Sequence, residues 1–211
     1  MKKNTFNCFV KEGNKKLSNK ILIFNMDSSK DCMSRKLGLC EIGSKCYELG
    51  LENYPNVIKH HQQQKEYWDT HSKEFLAKKF LLYSEFSDIE FIRFNESGDF
   101  KNQEDVDKLV YIANYLLNNN SNIIIYGYTH RKDLNFNKRP KNLIINGSGF
   151  MLDNNFKVTT NPSNIDCIAY EMKVINKELK KNEIKPIIGF CGDKCKLCMT
   201  KNNKVIYEML H

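Results

Sequence analysis

Cysteine is the residue in this chain with the most chemistry to offer. Of its eight cysteines, Cys32, Cys40 and Cys46 fall together in CMSRKLGLCEIGSKCYELG, and Cys191, Cys195 and Cys198 in CGDKCKLCM. Thiolates gathered at one point repel one another, and burial disfavours their charged form. A soft metal centre relieves that cost, and so does oxidation to disulfides. The second group has C-x3-C-x2-C spacing, short enough for one turn to bring three sulfurs to one centre, with Gly192 permitting a sharp bend. The first group, C-x7-C-x5-C, is looser and carries Gly38 and Gly43 between its cysteines.

The rest of the sequence favours metal over disulfides. The N-terminal stretch MKKNTFNCFVKEGNKK has lysines but no apolar segment of a secretory signal, so a cytoplasmic address with reduced thiols is expected. Zinc and [4Fe–4S] clusters both fit a thiolate set. Three cysteines on a [4Fe–4S] cluster leave one iron free to bind a small molecule, whereas four donors per site suggest a closed structural centre. One or two centres are compatible with the count, and Cys8 and Cys167 are candidate fourth ligands or simple buried thiols. His60, His61 and His71 are further candidates, although histidines on a largely apolar helical stripe more often pack than ligate.

Composition narrows the class. A chain of 211 residues with 41% hydrophobic residues can bury a core, and no apolar run approaches the length of a membrane span. The net charge of +8 suits a nucleic-acid partner, but the lysines are spread along the chain rather than clustered.

Elements with a clear period must position the cysteines. ILIFNM (21–26), IEFIRF (89–94), NIIIYGY (122–128), NLIING (142–147) and KPIIGF (185–190) read as buried strands, with FKVTT (156–160) and CIAYEM (167–172) as further candidates. Residues 56–83 read as one long helix or two short ones, 102–118 as the clearest helix, and 171–181 as a charged one. Continuous apolar strands alternating with helices predict an α/β fold, a mostly parallel sheet with covering helices in a compact or incomplete (β/α) barrel. Residues 1–20 read as a polar N-terminal arm or short edge element, and 21–211 as a single metal-binding domain. In such folds function gathers at the C-terminal strand ends. That rule places the first cysteine loop after strand 21–26, Asn95, Ser97, Gly98 and Asp99 after strand 89–94, Thr129 and His130 after strand 122–128, Asn146 at the end of strand 142–147, and the second cysteine group after strand 185–190, all around one face. Arg93, at a strand end, can grip a carboxylate or phosphate, or pair with a neighbouring acid. Asp99 can contact an amino or hydroxyl group, or cap the next helix.

Two resemblances follow from these segments. A strand, a three-cysteine loop, a helix, and then a strand followed by the Gly-acidic turn Glu96-Ser97-Gly98-Asp99 resemble the first half of a radical S-adenosylmethionine barrel, although the first cysteine spacing is not the usual one. That resemblance implies a [4Fe–4S] cluster on Cys32, Cys40 and Cys46, with S-adenosylmethionine beside it, its amino group near Asp99 and its carboxylate near Arg93. The early cysteine loop ending in Cys46-Tyr47, Arg93 before Ser97-Gly98-Asp99, Tyr128-Thr129 and the terminal cysteines also resemble phage gene-product-88-like proteins across roughly residues 21–200. The expectation is an iron–sulfur phage-type protein in the host cytoplasm, an enzyme of radical S-adenosylmethionine type. The alternative is a non-enzymatic protein in which zinc or a cluster braces a surface for a host protein or nucleic acid.

Overall fold

In a computed structural model of the chain, the residues described are 9–14, 17–86, 88–119, 122–159 and 195–209. Their framework is a seven-stranded sheet whose spatial order follows the sequence: β1 (Lys11–Asn14), β2 (Leu17–Phe24), β3 (Phe91–Phe94), β4 (Ile124–Thr129), β5 (Leu143–Ser148), β6 (Asn154–Thr159) and β7 (Val205–Met209). β1 is an antiparallel edge strand on β2, so part of the lysine-rich N-terminal stretch belongs to the sheet. Every pairing from β2 to β7 is parallel. The strands expected over 21–26, 89–94 and 122–128 are therefore adjacent parallel neighbours. β1 and β7 are the two edges, so the sheet is open rather than a closed barrel. The expected elements at 167–172, 171–181 and 185–190 lie outside the described residues.

Both faces of the central strands are buried, which explains their unbroken apolar runs: Ile21, Leu22, Ile23 and Phe24 are all fully buried. Leu22 and Phe24, with Ile92, Phe94 and Ile125, point to one face and pack with Trp68, Phe80, Leu109 and Leu116. These last residues come from α3 (Pro55–Thr70), α4 (Lys73–Phe86) and α5 (Gln103–Asn118). The 56–83 segment is thus two helices, broken at His71-Ser72, and Asn102 caps α5 by accepting the Asp105 N–H at 3.2 Å. Ile21, Ile23, Phe91, Tyr126, Ile144, Phe156 and Ile206 point to the opposite face, where Cys198 and Met199 cover them.

The expected alternation of strand and helix fails between β4 and β6. No helix separates β4 from β5, and only residues 149–153 join β5 to β6. Gly147 makes that return possible, since a Cβ there would stand 2.1 Å from the Phe150 carbonyl oxygen. Among the described residues no helix is long and apolar enough to cross a membrane.

Candidate functional site

The loops leaving β2, β3, β4 and β5 enclose a cavity of about 570 Å³. Cys32, Cys40 and Cys46 line it, together with Arg93, Asn95, Glu96, Ser97, Gly98, Asp99, Tyr128 and His130. The strand-end rule therefore holds for most of the residues that the sequence singles out. Parallel neighbours lie about 4.8 Å apart, so loops that follow them in register meet.

The cysteine loop is built from short pieces. Cys32 precedes α1 (Met33–Lys36), and Cys46 links a 3-10 turn (Gly43–Lys45) to α2 (Tyr47–Leu51). Backbone N–H groups two and three residues further on favour the thiolate form of each cysteine: those of Ser34 and Arg35 for Cys32, Ile42 and Gly43 for Cys40, Glu48 and Leu49 for Cys46. Burial pushes the Cys32 thiol up to about 12, with Asp99 adding to the effect, and also pushes the Cys46 thiol up. Burial acts on Cys40 in the same sense, but the hydrogen bond and charge of His130 outweigh it and bring that thiol down. The charge of Cys40 disfavours ionisation of both other thiols, so the three share one space. Among the described residues, no three His, Cys, Asp or Glu side chains converge closely enough to hold a single metal ion.

Two buried carboxylates hold the loops in place. Asp99 accepts hydrogen bonds from Ser34 Oγ, from Thr129 Oγ1 at 2.7 Å, and from the Phe100 and His130 backbone N–H groups at 2.8 and 2.9 Å. It ties the cysteine loop to the ends of β3 and β4, and its oxygens are occupied by the chain. Thr129 acts from behind Asp99 rather than from the cavity wall. Glu52, just after α2, accepts from the Ser29 N–H at 2.7 Å, the Lys30 N–H at 3.1 Å and Ser97 Oγ at 2.9 Å, and meets His61 Nδ1 at 2.8 Å. Burial alone would raise the Glu52 carboxyl; the donors from Ser29, His61 and Ser97 bring it below its ordinary value. Asn25 completes the frame, accepting the Ser97 N–H at 2.9 Å while its amide donates to Gln64 Oε1 at 3.1 Å. Gly98, at φ 75°, lies so close to Asp27 that a Cβ would stand 2.6 Å from the Asp27 carbonyl oxygen.

Asn146 stands elsewhere. It is fully buried in β5 and donates to the Gly127 and Cys198 carbonyls at 3.1 and 2.9 Å, while Asn154 donates to its oxygen at 2.8 Å. Asn154 in turn donates to Thr200 O at 2.8 Å and accepts the Asn202 N–H at 3.0 Å. This amide ladder fastens the segment containing Cys195 and Cys198 across the face of the sheet opposite α3, α4 and α5. Both cysteines are buried, and neither lines the cavity. Cys191, Cys8 and Cys167 lie outside the described residues. The α3 histidines are packed: His61 pairs with Glu52, and His71 stacks on Tyr67 and Phe75 at 4.0 and 4.6 Å.

The Gene product 88 family model matches residues 7–188. The chain belongs to the Gene product 88 family. Among curated proteins and solved structures, none matches it. The matched residues of this Gene product 88 family member include the first cysteine loop, the Arg93–Asp99 strand end and His130. Cys191, Cys195 and Cys198 follow the matched span.

Sequence reasoning misses Glu48, Glu52 and Gln64. Glu48 and Glu52 lie four apart in YELGLE, amid leucines, and acids interrupting an apolar stretch at helical spacing are the signal that could have found them.

Proposed function

We propose that this Gene product 88 protein carries an iron–sulfur cluster on Cys32, Cys40 and Cys46, with one iron facing the cavity. The observation that carries the reading is that three cysteines of one loop line a single cavity at the ends of parallel strands, beside backbone N–H groups that favour their thiolates. Hydrogen bonds to ligating sulfurs stabilise thiolate charge and set the potential of a cluster. Burial disfavours the thiolates of Cys32 and Cys46, so three ligating sulfurs in this cavity need a cation beside them to offset their charge. A cation at that place reverses the cost.

The sequential parallel strands, with the cysteine loop directly after β2, support extending the reading to a radical S-adenosylmethionine-type enzyme. Bound there, an open-iron cluster supplies one-electron chemistry to a ligand that the protein positions. The protein's part is to orient and enclose. Glu52 and Asp99 fix the loops, His130 holds Cys40, and the cavity walls keep the ligand from bulk water. The test is iron and sulfide content after anaerobic purification. The wild-type chain should carry both in cluster stoichiometry and Cys40→Ser should lose most of them; zinc in place of iron would refute the reading.

A further inference from the structure

Arg93 carries five N–H donors, and the structure uses few of them. Its Nε is buried and meets no hydrogen-bond acceptor. Its ion-pair contact, Nη1 to Glu96 Oε1, is 3.5 Å, at the outer limit of a hydrogen bond. A shielded guanidinium with donors unmatched is costly, so an acceptor is the missing part of this site. The surroundings specify its shape. The guanidinium carbon lies 5.6 Å from the centre of the Tyr128 ring, and Tyr128 meets Phe156 edge to face at 5.0 Å. Val158 extends the same wall, and all four side chains line the cavity.

Charge chooses among the oxyanions. Lys11 meets the other oxygen of Glu96 at 3.3 Å, so two cations share that carboxylate, and Glu48, a further acid beside Arg93, is pushed up to about 7 by burial and carries only part of a charge. A carboxylate brings one negative charge and accepts two parallel N–H groups from the arginine fork. A phosphate dianion would put a second negative charge beside Glu96. We propose that Arg93 anchors an organic monocarboxylate whose apolar or aromatic body lies against Tyr128, Phe156 and Val158. The site shares the cavity with the cysteines but rests on different side chains, and it operates with or without metal on them.

Titration calorimetry with benzoate, acetate and inorganic phosphate tests this, on metal-free and on iron-reconstituted protein. Benzoate should bind saturably to both preparations, more tightly than acetate or phosphate. Arg93→Met should weaken benzoate at least tenfold, and Arg93→Lys, which keeps the charge and loses the fork, severalfold. Tyr128→Leu should weaken benzoate and leave acetate unchanged, which carries the test if Arg93→Met fails to fold. No saturable benzoate binding by the wild type, unchanged affinity in Arg93→Lys and Tyr128→Leu, or tighter binding of phosphate than of benzoate would overturn the proposal. Iron content is read separately, so benzoate binding by a protein that takes up no iron would keep this inference and remove the cluster.

Discussion

The two cysteine-bearing regions are held by different chemistry. Around Cys32, Cys40 and Cys46 the fasteners are buried carboxylates: Glu52 and Asp99 each gather four donors from distant segments. Around Cys195 and Cys198 they are neutral amides, with Asn146 and Asn154 holding carbonyls of the covering segment. The first region borders a cavity lined by both polar and apolar side chains, and the second closes an apolar cluster. Tight spacing made the second group the stronger metal candidate in the sequence. Position at the strand ends, with all three sulfurs on one cavity, makes the first group the stronger candidate in the fold.

The comparison breaks first at Glu52. Glu52→Ala leaves the Ser29 and Lys30 N–H groups, Ser97 and His61 without their acceptor, and should cost roughly 3–5 kcal/mol. Urea denaturation should show the midpoint falling with an unchanged slope. A loss below about 1 kcal/mol would mean that the carboxylate is not what holds the cavity loops.

Acid should separate the regions next. Burial holds His60 down to about 4, below its unfolded value, and Glu52 also lies below its ordinary value. Both groups therefore bind protons more readily when unfolded. Their stability is present in full above pH of about 6.5 and is lost as pH falls, His60 acting between about 6.5 and 4 and Glu52 below that. The His60 contribution alone should amount to about 2–3 kcal/mol. Glu48, pushed up to about 7 by burial, opposes this over the same range. The His60 contribution is therefore the pH dependence that His60→Leu removes, and hydrogen-exchange protection of the cavity loops should change with pH where that of the amide-held segment does not. The same pH response in both segments would contradict the distinction.

Asn146→Ala removes the bonds to Gly127 and Cys198 and should cost about 2 kcal/mol. Unlike the Glu52 effect, this loss should be independent of pH. The smallest effect should come from Cys198→Ser, which places a hydroxyl among Ile21, Ile144 and Met199 and should cost about 1–2 kcal/mol while leaving iron at the first group unchanged.

Much of this was legible in the sequence. Apolar runs announced β2 to β5 because both faces of those strands are covered. The stripe Val106, Leu109, Val110, Ala113 announced α5 because it packs one face on the sheet. Arg93, Ser97, Gly98 and Asp99 could be found because strand ends in parallel sheets gather function. Asn146 obeys the same rule and yet misleads, because its side chain turns to the face covered by Cys198. The partners of Glu52 and Gln64 could not be read because they are remote: Gln64 meets Asn25 across 39 positions, and Glu52 meets Ser97 across 45. The helix-free passage from β5 to β6 was missed because nothing in the sequence around Gly147 tells a tight return from an ordinary strand end.

The most direct measurement is electron paramagnetic resonance of the anaerobically reconstituted, dithionite-reduced protein. The account predicts a cluster signal in the wild type that disappears in each of Cys32→Ser, Cys40→Ser and Cys46→Ser and persists in Cys198→Ser. A wild-type protein without any cluster signal, or a signal that survives all three first-group substitutions, would contradict it.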